Sequence, residues 1–231
     1  MALQSIAQNI QAVRRAIAAA AADCARDPAD IALIAVSKQQ PPDALRAAWV
    51  AGARAFGENY LHEAIEKQDT LGDLGIEWHF IGAIQSNKTR LIANRFHWVH
   101  TVANRRVAHR LSDQAAPGTR LNVCIQINID RDPNKAGVAP EAAAALLAEI
   151  RDLPNLSIRG LMTILHPASP PRAGYERLAT LFETLRAIAP SRWDTLSMGM
   201  SADFPDAIAA GATHIRVGSA IFGPRPARLT S

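Results

Sequence analysis

Ile31-Ala-Leu-Ile-Ala-Val-Ser37, with Lys38 following, is the stretch on which the fold turns. Its seven residues carry no charge and are apolar at odd and even positions alike. That is the pattern of a strand covered on both faces, as strands in parallel sheets are. A lysine marks its end. Seven more short runs have the same character: Ala53–Gly57, Glu77–Gly82, His97–Val102, Leu121–Ile129, Ser157–Thr163, Thr195–Gly199 and Thr213–Gly218. Helical patterns at 42–51, 59–70, 86–94, 104–115, 139–151, 171–189 and 203–210 fall between them. Strand and helix alternating along the whole chain imply parallel strands joined by crossover helices. Eight such units predict an α/β protein with the (β/α)8 TIM-barrel fold. A doubly wound open sheet shares the alternation, but no GxGxxG follows the first strand, where a dinucleotide fold would place it.

Ahead of the first strand, Ile6, Ile10, Val13, Ile17, Ala20 and Cys24 recur every three or four residues, which draws one apolar stripe on a helix. We read residues 3–24 as an extra N-terminal helix, with Ser5 as its cap. Arg14-Arg15 before an alanine-rich run superficially matches an export signal, but the stripe and the amide-rich segment Gln4 to Gln11 argue for a mature helix of a cytoplasmic protein. The chain has 231 residues, enough for one barrel, and we expect a single domain over 1–231. His166–Arg172, with three prolines, reads as a loop too short to link domains.

Composition removes several function classes. No apolar run nears the roughly 18 residues of a spanning helix, so no membrane role is expected. The net charge of +4 is spread out, and aromatic residues are only 5%, so neither a phosphate-backbone track nor a base-stacking platform forms and no nucleic acid is expected. Cys24 and Cys124 lie far apart and outside any CxxC, as buried reduced thiols do. His97 and His100, three apart on a strand, point to opposite faces and make no metal pair. His79 reads as a packed or hydrogen-bonded strand residue. Asp203 and Asp206 read as acidic residues early in a helix.

Barrels collect their chemistry where strands end and loops begin. Those ends carry Lys38, Glu58-Asn59, Gln85, Asn87, Lys88, Asn128, Met162, Ser197 to Ser201 and Arg216 to Ser219. A lysine at an apolar barrel mouth can have its amine pKa lowered and attack an aldehyde; by position alone it reads first as a strand-end lysine reaching solvent. Ser197-Met-Gly-Met-Ser201 and Gly218-Ser219 have the small residues of a phosphate cradle built on the last two strand–helix loops, or simply of two tight turns. Arg216 shares the strand face of Gly218 and could reach the same ligand.

Taken together, Ala35-Val-Ser-Lys38, Phe56-Gly-Glu-Asn-Tyr60, Trp78-His-Phe-Ile-Gly82, Gln85-Ser-Asn-Lys88, Gly160-Leu-Met162, Leu196-Ser-Met-Gly-Met-Ser201, Ile215-Arg-Val-Gly218 and Ala220-Ile-Phe-Gly223 make the chain resemble, over nearly its whole length, the pyridoxal phosphate homeostasis protein family, which is related to the N-terminal barrel of alanine racemase. The resemblance implies pyridoxal 5′-phosphate as cofactor, bound as a Schiff base on Lys38. Ser201, Gly218 and Ser219 would hold the phosphate, Arg216 would face the pyridine nitrogen, and Asn59, Met162 and Asn87 would line the ring or rim. Lys135, in the loop after the fifth strand, is a candidate to accept or relay the cofactor. Thr163-Ile-Leu-His-Pro departs from the family's usual continuation after Gly-Leu-Met and leaves the geometry of 164–172 open.

A guanidinium beside the ring nitrogen disfavours its protonation and weakens the ring as an electron sink. The racemase also draws its second base, a tyrosine, from a C-terminal β domain. This chain is expected to lack that domain, and neither Tyr60 nor Tyr175 takes the comparable place. The resemblance therefore implies a non-catalytic carrier that buffers pyridoxal phosphate and supplies it to apo-enzymes, as a monomer. Two alternatives remain open: a weak racemase or related enzyme using the same cofactor, and a sugar-phosphate barrel in which Lys38 attacks the substrate.

Overall fold

A computed structural model describes residues 2–223. Eight parallel strands close into a barrel in chain order: β1 (Ala32–Val36), β2 (Ala55–Glu58), β3 (Glu77–Phe80), β4 (Trp98–Val102), β5 (Leu121–Gln126), β6 (Leu156–Met162), β7 (Thr195–Ser197) and β8 (His214–Val217). The expected (β/α)8 barrel is the fold observed. Helices α1 (Ala2–Ala22), α2 (Pro42–Val50), α3 (Leu61–Thr70), α4 (Thr89–Arg95), α5 (Arg105–Gln114), α6 (Ala143–Ile150), α7 (Pro171–Leu185), α8 (Phe204–Ala209) and α9 (Ser219–Phe222) surround it. The short helix α9 falls inside no expected element, because four residues are too few to show a period.

Several expected boundaries move. The helix expected at 86–94 opens as a 3-10 turn, Ser86–Lys88, and the one at 139–151 opens as another, Pro140–Ala142, followed by α6. The long helix at 171–189 ends at Leu185 and tightens into a third, Arg186–Ile188. The run to Ile129 stops pairing as a strand at Gln126, after which Ile127 makes only an isolated bridge with Val138. Ser5 is not the cap expected of it, since α1 already begins at Ala2 and Ser5 lies within its first turns. Asp203 stands at the N-cap of α8, but its carboxylate accepts from the Met200 amide rather than from a helix amide.

The closing pair is β1 with β8, in the register Ala32↔His214 to Ala35↔Val217. Helix α1 covers that side of the barrel. Its stripe Ile6, Ile10, Val13, Ile17 and Ala20 is buried, Asn9 donates to the Ile221 carbonyl of α9 at 2.9 Å, and Arg26 donates to the Ile208 carbonyl of α8 at 2.7 Å. The extra helix thus braces the two helices that follow the last two strands.

The main apolar core lies between sheet and helices, as the two-sided hydrophobic strands require. The barrel interior is different. Trp98, Cys124 and Met162 form a separate buried cluster there. Beside them His79, His100 and His214 have ring centroids 5.2 to 6.3 Å apart, and Trp98 stacks on His79 at 5.7 Å. Burial lowers the pKa of all three histidines, His214 to about 3.

These depressed values set the sign of one pH effect. Unfolding would let each ring take up a proton near pH 6.5, which the folded barrel resists, so stability is present above that pH and is lost as pH falls. We expect the urea-unfolding free energy to fall between pH 7 and pH 5, by up to about 1.4 kcal/mol per pH unit for each such histidine. The His100→Gln variant should show a shallower slope. Equal slopes in the two proteins would contradict this origin.

Candidate functional site

Because side chains alternate along a strand, one face of each strand end points into the barrel mouth. Val36 ends β1 with Lys38 two residues beyond it, Asn59 follows β2, Met162 ends β6, and Arg216 lies in β8 with Gly218 just after it. They meet at a cavity of about 290 Å³, whose lining includes Lys38, Asn59, Met162, Ser201, Arg216, Gly218 and Ser219. Seven of the residues singled out in the sequence are thus brought to one place. Asn87 and Lys135 are not among its lining residues, although the Lys135 ammonium approaches the carbonyl of Ile164, which is, at 3.4 Å. Gln40, Ile81, Ile164, Met200 and Phe222 complete much of the wall. They carry no chemical signature in the sequence, and only the β1–β8 closure gathers them.

Lys38 is held by its surroundings. Ser37 and Gln40 close a turn by a backbone bond of 3.1 Å, and Gln39 within it has φ +61°, unusual for a side-chain-bearing residue. The Gln39 amide donates to the Glu63 carboxylate, which holds the turn in that shape. Behind the strand, Lys67 donates to the Ser37 carbonyl at 2.7 Å and to Glu58 at 2.8 Å, while Ser37 Oγ donates to the same Glu58 oxygen at 2.6 Å. Lys67 and Glu58 are both buried. Burial pushes the Glu58 carboxyl upward, against the pull of Lys67 and Ser37. Sequence reading could not distinguish this Lys67 from the ordinary surface lysines of a helix.

The opposite wall centres on Arg216, only 4% exposed. Its guanidinium donates to Ser197 Oγ at 2.8 Å and to the Thr163 carbonyl at 2.7 Å, both uncharged oxygens. Burial lowers its pKa, while Tyr175, Cys124 and Asp203 act the other way. At the small-residue end, the Gly218 amide lies 3.4 Å from Ser201 Oγ. Gly199 has φ +93°, and a Cβ there would come within 2.6 Å of the Ala207 side chain, so the Ser197–Ser201 turn can sit against α8 only with glycine at that position. Tyr175, fully buried, supports this turn. Burial first, and Asp203 next, push its phenol pKa upward. Asn59 Oδ1 is a buried acceptor without a hydrogen-bond partner, on a residue that lines the cavity. Its backbone is wedged against Gly82, where a Cβ would come within 2.0 Å of the Asn59 carbonyl. Among the described residues, no group of three metal-ligating side chains occurs, and no helix is long and apolar enough to cross a membrane.

The model of the alanine racemase N-terminal domain matches residues 1–226. A pyridoxal phosphate homeostasis protein of Pseudomonas aeruginosa is 49% identical over 224 residues, spanning 96% of this chain and 97% of the relative. Among solved structures, PipY of Synechococcus elongatus with PLP bound superposes with a TM-score of 0.83 at 38% identity, covering 94% of this chain and 100% of that one. Alanine racemase of Corynebacterium glutamicum, 19% identical with a TM-score of 0.72, shares the fold over 99% of this chain and 63% of its own.

The Lys67 clamp can be tested apart from any ligand. Lys67→Met leaves Glu58 buried without its countercharge, and we expect a loss of about 3–5 kcal/mol in chemical unfolding. Adding Glu58→Gln should restore part of it by removing the stranded charge. A double variant no more stable than Lys67→Met would show that the pair is not coupled.

Proposed function

Because the chain belongs to the pyridoxal phosphate homeostasis protein family, we propose that its cavity holds pyridoxal 5′-phosphate and that the protein buffers this cofactor and supplies it to apo-enzymes. The observation that carries this reading is the convergence of Lys38, Arg216, Ser201, Gly218 and Ser219 on one cavity from opposite ends of the chain. The residues present fit the group. An amine, a buried cation, a small-residue turn and the unpartnered Asn59 Oδ1 line a single space, which suits a ligand with an aldehyde, a ring nitrogen, a phosphate and a ring hydroxyl. When bound, this cofactor supplies a reactive aldehyde and, if its ring nitrogen is protonated, a sink for carbanion electrons.

In this reading Lys38 would hold the cofactor through its aldehyde, the carbonyl oxygen leaving as water, the Ser201 and Ser219 hydroxyls and the Gly218 backbone would hold the phosphate, and Asn59 and Met162 would flank the ring. Arg216 would face the ring nitrogen and, being donor-only and cationic, would disfavour its protonation. That favours storage over catalysis. Tyr175 cannot act as a second base at neutral pH, because it is buried and its pKa is raised. Tyr60 is half exposed at the N-cap of α3. The same reading takes the protein to work as a single-domain cytoplasmic monomer, with Lys135, near the wall residue Ile164, as a candidate for passing the cofactor outward.

The test is an absorption spectrum with added pyridoxal phosphate, before and after borohydride. Wild type should develop a visible band and become irreversibly labelled, and Lys38→Ala should do neither. A wild type that stays colourless at saturating cofactor overturns the reading in favour of a sugar-phosphate barrel. If the band forms, exchange of the alanine α-proton in heavy water separates carrier from racemase: no exchange above buffer is expected, whereas rapid exchange with loss of chirality would identify an enzyme.

A further inference from the structure

A line of polar side chains crosses the barrel interior beneath the cavity. Arg216 Nη1 is 2.8 Å from Ser197 Oγ, Ser197 Oγ is 2.8 Å from His100 Nδ1, His100 Nε2 is 2.9 Å from His79 Nδ1, and His79 Nε2 is 2.7 Å from Glu77 Oε1. Ser197, His100 and His79 are fully buried, whereas the Glu77 side chain is about half exposed at the start of β3, the end of the barrel away from the cavity.

The two ends decide how the hydrogens lie. A guanidinium can only donate, and an ionised carboxylate can only accept. Burial keeps both imidazoles neutral, so each holds one N–H, and the bond to His79 keeps the Glu77 carboxyl ionised by lowering its pKa. Four bonds then share four hydrogens, and one arrangement satisfies them all. Arg216 donates to Ser197, Ser197 to His100 Nδ1, His100 Nε2 to His79 Nδ1, and His79 Nε2 to Glu77. Reversing any link would put two hydrogens on one bond and none on another.

We propose that Glu77, at the far end of the barrel, is a positioning residue for Arg216: through His79, His100 and Ser197 it aligns every donor toward itself, so that the Ser197 hydroxyl hydrogen is held on His100 and away from Arg216. The aligned dipoles place negative potential at the guanidinium, whose direct bonds among the described residues go to uncharged oxygens. Arg216 is thereby held in one orientation at the cavity wall although it is buried. The chain moves no proton in this state, since each link already has its hydrogen.

The first arm of the test needs no cofactor and stands independently of the proposed ligand: histidine ¹⁵N spectra of the cofactor-free protein at pH 7. Both His79 and His100 should be neutral Nε2–H tautomers, and an Nδ1–H tautomer or a charged ring at His100 overturns the proposal. The second arm rests on the pyridoxal phosphate reading and compares Glu77→Leu with Glu77→Gln. The leucine variant should weaken pyridoxal phosphate binding by roughly three- to tenfold and shift the visible band, and glutamine, which retains a carbonyl acceptor, should recover much of both. Lower thermal stability with band and affinity unchanged would make Glu77 a merely structural residue and overturn the proposal. If wild type binds no cofactor at all, the functional reading fails while the tautomer spectra still decide the chain. If the leucine variant does not fold, those spectra and the glutamine variant remain decisive.

Discussion

Pairing of β1 with β8 is the contact on which the rest depends. It aligns Ile34 with Arg216 and Ala35 with Val217, and so turns a linear series of strand–helix units into a ring. Only then do Lys38, just beyond the end of β1, and Gly218, just beyond the end of β8, share a cavity. Closure also abolishes exposed sheet edges, so every strand can be apolar on its outer face. The N-terminal helix, bound to α9 through Asn9, and the turn after it, bound to α8 through Arg26, reinforce the structure on the side where the ring is completed.

Closure has an electrostatic cost. The inward faces near the mouth must accept a guanidinium, and a cation in such a place is tolerated only if oxygens surround it. Arg216 finds Ser197 and Thr163, and the interior beneath is filled with histidines and a tryptophan rather than with the branched aliphatics usual in barrels. The outer core keeps the aliphatic residues. This division of labour between the two faces of one sheet leaves the buried histidines, Ser197 and Arg216 inside the ring. In the proposed reading, Arg216 beside the ring nitrogen and Tyr175 withdrawn into α7 would both oppose carbanion chemistry.

The two walls of the cavity are stabilised by different means. The Lys38 wall depends on an ion pair behind the strand, Lys67 with Glu58, which grips the Ser37 carbonyl. The Arg216 wall depends on a line of neutral groups and on a turn that requires glycine at 199. The ion pair stands behind the cavity, whereas the turn itself carries Met200 and Ser201 of the lining. Cys124 illustrates the consequence for chemistry: burial pushes its thiol up to about 12, so it serves as packing and not as a nucleophile.

Alone, the sequence determined the repeating pattern. Runs apolar on both faces, spaced by amphipathic segments, admit few folds, and residues at strand ends can be named because the ends are visible as changes of composition. That is why Lys38, Arg216 and the Ser201, Gly218 and Ser219 turns were legible as a group. Partners across space were not legible. Lys67 looks like any helix lysine, Tyr175 like any core aromatic, and Glu77, His79 and His100 like isolated strand residues, because their significance lies in distances of about 3 Å that exist only once the ring is closed. The short helix α9, the 3-10 openings and the end of β5 were likewise decided by tertiary packing. Local propensity over three or four residues is too weak to set such boundaries against it.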